Sequence, residues 1–204
     1  MNTHILRSCF AAVAAVVLAA GVQAAAVVGE AAPAFTLTDI KGVTHNLSDF
    51  KGKTVVLEWV NPECPFVKKH YEKSDNIPSL QKAALADGVV WLSINSGAPG
   101  KQGDFDIVKF EAWRDKTGAT PTAYFRDSDG KVGKAYGAKT TPHIFVINAE
   151  GKVVYAGAID SISSTDTADI AKAQNYVAAA LTAVKTNVPV KQSSTQPYGC
   201  PVKY

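Results

Sequence analysis

The sequence predicts an α/β domain, a mixed central sheet flanked by helices and preceded by an N-terminal strand pair. Three observations lead there. Segments of strand and helix character alternate along the chain. Residues 53–60 (KTVVLEWV) and 88–95 (GVVWLSIN) are nearly continuous apolar runs, the pattern of strands covered on both faces. The stretches between strands open with Pro or with Ser, Thr and Asp, residues that start helices.

Taken in order, residues 34–40 (AFTLTDI) alternate apolar with polar side chains, turn at Lys41-Gly42, and return over 43–47 as a short second strand. Residues 53–60 follow as a central strand. Pro65 and Pro78 start helices over 65–73 and 78–86. After the strand at 88–95, residues 104–116 carry Phe105, Val108 and Trp113 near helical spacing. Residues 143–148 and 152–158 are strands joined by a tight turn, Ala149-Glu150-Gly151. Residues 165–185 are Ala-rich, begin with capping residues, and read as one long helix. Beyond it, 186–196 is polar and rich in Pro, Ser and Thr, a linker into PYGCPVKY.

Residues 1–26 hold one Arg, an apolar run from Phe10 to Val22, and small residues at the end. That is the pattern of a secretory signal peptide rather than a membrane anchor. The expected organisation is a leader over 1–26, a domain over 27–185, and a flexible C-terminal tail over 186–204. The expected location is outside the cytoplasm, in a bacterial periplasm. Loss of the leader would remove Arg7 and take the formal charge from +3 to +2. So small a surplus argues against nucleic acid or a membrane surface as partner. It would also remove Cys9, leaving Cys64 and Cys200, an even pair suited to an oxidising compartment.

The chemistry centres on WVNPECPFVKKHY, residues 59–71. A residue before proline avoids the α region, so Cys64 is expected at the cap and Pro65 at the first helical position. Unpaired N–H groups and the helix dipole there favour thiolate over thiol, and Lys68 lies one turn on. His70 falls about 240° round the helix, away from Cys64. Lys69 and Lys73 read as a solvated face. His45 and His143 have no companions at ligand spacing, so no metal site is expected. Glu58 interrupts an apolar run. It is either at a sheet edge or end, or buried with a raised pKa as a proton acceptor.

The order of strand, Trp59, loop, Cys64-Pro65 and helix, followed much later by Thr141-Pro142 and an apolar strand, resembles the thioredoxin superfamily. Within it, VGEAAPAFTLTDIKGVTHNLSDFKGKTVVLEWV and AYGAKTTPHIFVINAEGKVVYAGAID are similar to the redoxin branch, which includes the alkyl hydroperoxide reductase and thiol-specific antioxidant proteins. PECPFVKKHY and YGCPVKY resemble an exported peroxiredoxin-like subgroup. The resemblance implies a thioredoxin-like fold with Cys64 as nucleophile. It also implies a cis-proline at Pro142 facing the nucleophile, with Thr141 beside it, and a buried carboxylate at Glu58. Two departures stand out. The second thiol of a CxxC site is replaced by Val67. The hydroxyl and proline of a peroxidase motif are replaced by Asn61 and Leu57, although Asn61 can still donate a hydrogen bond.

The reading is a thiol oxidoreductase without a bound cofactor. Its partners would be protein or small-molecule thiols and disulfides, or a hydroperoxide. Cys64 (with Glu58 and Pro142) carries the reaction, and Asn61, Pro65 and Thr141 contact substrate. Two alternatives stay open: a thiol peroxidase, with Arg114 and Arg126 as candidate arginines, and a non-catalytic binding or metal-handling module. Cys200 is the expected second thiol, because Gly199-Cys200-Pro201 echoes Glu63-Cys64-Pro65. The 15 residues from Lys185 span about 50 Å when extended, against a radius of gyration of about 16 Å. A permanent structural disulfide is the rival role for Cys200.

Overall fold

The computed structural model describes residues 25–204, so the expected leader and Cys9 lie almost wholly outside the described residues. A short hairpin of β1 (Thr36–Thr38) and β2 (Thr44–Asn46) precedes the main sheet. That sheet contains β3 (Val55–Trp59), β4 (Val90–Asn95), β5 (Ala123–Arg126), β7 (His143–Ile147) and β8 (Val153–Gly157), in the order β5-β4-β3-β7-β8. β3, β4 and β5 run parallel, while β7 and β8 are antiparallel to their neighbours, so the sheet is mixed as expected. Helices α1 (Pro65–Tyr71), α2 (Asn76–Ala86), α3 (Ile107–Thr117), α4 (Lys131–Tyr136) and α5 (Tyr176–Lys185) flank it. A last pair joins β6 (Thr140–Thr141) to β9 (Cys200–Pro201).

Strand periodicity sorts the core into two layers. Val55, Leu57 and Trp59 face one side of the sheet, with Phe35, Leu92, Phe125, Tyr136 and Phe145. Val56 faces the other, with Val67, Tyr71, Trp91, Trp113 and Val177 from the strands and helices of that side. Glu58 follows the parity of Val56, and so points into the layer beneath α1 and α2.

The long helix expected over 165–185 is interrupted. A 3₁₀ segment spans Thr167–Lys172, and α5 starts afresh behind Asn175, whose side chain accepts from the N–H of Ala178 at 2.9 Å. Asn175 also bridges to Asp160. A residue able to cap can outcompete helix continuation even in an Ala-rich segment. α2 begins at Asn76 rather than at Pro78. β5 and α4 were not anticipated; four and six residues long, they are too short for periodicity to mark.

The C-terminal residues, read from composition as a flexible tail, run back along the domain as a strap. Ser193 and Thr195 bond the backbone of Ala156, and the Thr195 hydroxyl accepts from the N–H of Ala158 at 2.9 Å. Gly157 permits the approach, since a Cβ there would sit 2.2 Å from the Thr195 hydroxyl. Further on, the N–H of Val202 donates to Lys139, that of Ala98 to Lys203, and the Tyr204 hydroxyl to Ala138. Composition marks the segment as irregular, but backbone donors and acceptors on both sides give it fixed partners.

Candidate active site

Pro65 opens α1 and holds Cys64 just outside it, at φ −69° and ψ 127°. The Cys64 N–H donates to Asn61 O at 3.0 Å, and its carbonyl accepts from Lys68 at 2.9 Å. Its side chain is fully buried, 0 % exposed. The thiol contacts Thr141 O at 3.0 Å and the Cys200 sulfur at 2.7 Å. Both cysteines are free thiols.

Thr141 belongs to the two-residue strand β6 and is followed by the cis Thr141-Pro142 bond. The strap adds β9 to this strand in antiparallel register, Thr141 opposite Cys200 and Thr140 opposite Pro201. Gly199 fits the join. Its φ is +137°, and a Cβ would lie 2.1 Å from Thr141 O. Burial first, then the hydrogen bond and charge of Cys64, push the Cys200 thiol up to about 12.

Asn61 is buried, with its amide N–H donating to Gln102 O at 3.1 Å and its carbonyl accepting from Glu63 N at 2.9 Å. It therefore shapes the loop before Cys64. Pro65 is exposed beside the sulfur pair. Leu57 lies in the opposite core layer. Arg114 pairs with Asp115, and Arg126 with Asp104, rather than with Cys64. Among the described residues no group of three or more His, Cys, Asp or Glu side chains is placed to hold a metal ion. Nor is any helix among them long and apolar enough to cross a membrane.

Glu58 is fully buried in a central strand, opposite Ser93 and Ile144, which removes the reading of a sheet edge or end. Its carboxylate accepts from the Tyr71 hydroxyl at 2.7 Å, Trp91 Nε1 at 2.8 Å, Ser93 at 3.3 Å and Gln81 Nε2 at 3.4 Å. Burial outweighs these donors and raises its pKa to about 7.

Lys69 overturns the expectation of a solvated face, being 0 % exposed. Its ammonium lies 3.9 Å from Asp160 and 3.5 Å from Ile162 O and the Ser164 hydroxyl. His70 is likewise buried, its ring set between Asn76 and the Tyr198 hydroxyl. Helical spacing gives a side chain's direction and is silent on what distant segments cover it; here the 158–164 loop meets Lys69, and Asp160 of that loop with Tyr198 of the strap meets His70. Lys73 is exposed as expected, and Lys68 is half-buried.

Comparison with known proteins places this geometry. The AhpC/TSA family pattern matches residues 28–156. The thiol-disulfide oxidoreductase ResA of Geobacillus thermodenitrificans is 32 % identical over 138 residues, 64 % of this chain and 69 % of that protein. An uncharacterized conserved protein from Geobacillus kaustophilus superposes with a TM-score of 0.73 at 26 % identity, over 87 % of this chain and 92 % of that one. The thioredoxin domain of a thiol-disulfide oxidoreductase from Bacteroides vulgatus shares the fold, with a TM-score of 0.52 and 21 % identity over 72 % of this chain and 96 % of its own. With a thioredoxin-like fold and a pattern matched across more than half its length, the chain belongs to the AhpC/TSA family.

Proposed function

We propose that this protein is a thiol–disulfide oxidoreductase in which Cys64 is the nucleophile and Cys200 the resolving thiol. The Cys64 thiolate attacks one sulfur of a protein or small-molecule disulfide. A Cys64–substrate bond forms, and the other substrate sulfur leaves as thiolate. The Cys200 sulfur then attacks Cys64, expelling the second substrate sulfur, which takes the Cys200 proton. The substrate disulfide has gained two electrons, and a Cys64–Cys200 disulfide remains for an external thiol to reduce. Export, suggested by the leader-like residues 1–26, suits a protein that cycles through a disulfide.

One observation carries the reading: Cys200 is seated in strand register opposite Thr141, its sulfur 2.7 Å from Cys64. Closing that gap to a disulfide, ~2.05 Å between sulfurs, needs little movement. The position of a CxxC partner is filled by the buried Val67, so the second thiol comes from the strap instead. Burial is the largest cause of the raised Cys200 pKa, and the hydrogen bond and charge of Cys64 come next. The two Cys64 contributions weaken once Cys64 is in a mixed disulfide, which makes Cys200 a better nucleophile at the step that needs it.

Peptide mapping after treatment of reduced, full-length protein with oxidised glutathione tests the reading. A Cys64–Cys200 link is expected in the wild type, and a glutathione adduct on Cys64 in Cys200→Ser. If the two cysteines are never linked, within or between chains, the mechanism fails. Stopped-flow oxidation by hydrogen peroxide far faster than a free thiolate would transfer the assignment to a peroxidase. Retention of the full-length protein in the cytoplasm on cell fractionation would remove export.

A further inference from the structure

Below α1 lies a buried polar chain that the sulfur chemistry does not use. Asn76 presents its amide nitrogen to His70 Nδ1 at 2.8 Å, which makes Nδ1 an acceptor. Burial, opposed by Asp160 and aided by Lys69, lowers the His70 pKa to about 4. The ring is therefore neutral near pH 7 and carries its proton on Nε2. Nε2 faces the Tyr198 hydroxyl at 3.3 Å, and that hydroxyl donates to Asp160 Oδ1 at 2.5 Å. Lys69 closes the chain on the other oxygen of Asp160.

The members differ in origin. Lys69 and His70 come from α1, Asn76 starts α2, and Asp160 follows β8; Tyr198 comes from the strap. It stands two residues before Cys200, and its ring packs edge-on against Phe66, two residues after Cys64, with centroids 5.8 Å apart. The hydroxyl thus joins the segment bearing one sulfur to the polar chain anchored on the helix that follows the other. Buried polar groups are costly without partners. Asp160 Oδ2 has no hydrogen-bond partner within reach, which leaves Oδ1 to satisfy that carboxylate, accepting from the Tyr198 hydroxyl at 2.5 Å and from the Ile162 N–H at 3.1 Å; Tyr198 is the side chain that does so.

We propose that Tyr198 is the positioning residue for Cys200: its hydroxyl, held between Asp160 and His70, seats the resolving sulfur against Cys64. The proposal rests on the two-cysteine reading above. Tyr198→Phe keeps the ring contact with Phe66 and removes only the hydroxyl. Tyr204→Phe makes the same change at the far end of the strap, where the hydroxyl bonds Ala138 O at 2.8 Å. The measurement is the equilibrium constant of the Cys64–Cys200 disulfide against a reduced/oxidised glutathione buffer, with melting temperature recorded for each protein. A hydrogen bond to a buried charge sets the expected loss at roughly tenfold or more for Tyr198→Phe. Tyr204→Phe should stay within about twofold, and both should keep a cooperative fold. An unchanged constant in Tyr198→Phe, or an equal fall in both variants, overturns the positioning role while leaving the two-cysteine reading intact. Failure of the wild type to form the bond in the same buffer overturns both.

Discussion

The Cys200 sulfur lies 2.7 Å from that of Cys64 although 136 positions separate them in the chain. The contact is made by an added strand: β9 extends β6 immediately before the cis Thr141-Pro142 bond. The same strand lies against Cys64, which is fully buried; the proposed two-cysteine cycle therefore requires the strap to lift before a substrate disulfide can reach Cys64.

Cys64→Ser should make Cys200 easier to ionise. Burial is the largest cause of its raised pKa, and the hydrogen bond and charge of Cys64 come next. Replacing Cys64 removes the charge and leaves the burial. The pH midpoint for alkylation of Cys200 is therefore expected to fall from about 12, yet to stay above the ~8.5 of an unperturbed thiol. A midpoint that does not move would show that the two sulfurs are not coupled.

Gly199→Ala should loosen the strap. The position combines φ +137° with a Cβ 2.1 Å from Thr141 O, and backbone cannot yield as a flexible side chain would. Cys64 is expected to react with an alkylating reagent severalfold faster in the variant, because its cover is displaced. An unchanged rate would mean that β9 docks without needing glycine.

Glu58 predicts a pH-dependent stability. Its folded pKa, raised by burial from the ordinary 4.5 to about 7, means that the folded state holds the proton more tightly. Stability from this group is thus full below about pH 4.5 and falls as pH rises through 7, by on the order of 3 kcal/mol. Glu58→Gln stays neutral. The stability difference between variant and wild type, followed by urea titration from pH 5 to 8, should therefore grow in favour of the variant. A constant difference across that range would show that Glu58 does not titrate there.

Lys69 and Asp160 should be strongly coupled. Removing one partner of a buried ion pair strands the other, at a cost of about 3–5 kcal/mol. Lys69→Met should approach that loss, and Lys69→Met combined with Asp160→Asn should recover part of it. A double-mutant cycle by urea unfolding measures the coupling. Additive losses would mean that the 3.9 Å approach carries no stabilisation.

Much of the frame was legible because it is written in local rules. Proline fixes its own φ and restricts its predecessor, so Cys64 before Pro65 was readable as the residue outside α1. Continuous apolar runs marked β3 and β4, and Ala149-Glu150-Gly151 marked the turn between β7 and β8. Asn175 defeated the reading of one long helix because its capping bond competes locally with a favourable propensity spread over many residues.

The sequence by itself determined the fold class, the place of Cys64 at a strand–loop–helix junction, and the existence of a second thiol long enough in reach to meet it. Tertiary structure alone decided which polar groups are buried and what the tail does. Glu58 and Lys69 carry the same charge pattern whether solvated or enclosed; only the helices and the 158–164 loop that cover them make one a raised acid and the other a buried ion-pair partner. The tail's composition favours no regular structure. Its position comes instead from unpaired backbone groups at Lys139, Thr141 and Ala156 and from a buried carboxylate at Asp160. Those partners are far apart in the chain and become neighbours only when the sheet has formed, so no local pattern of residues could announce them.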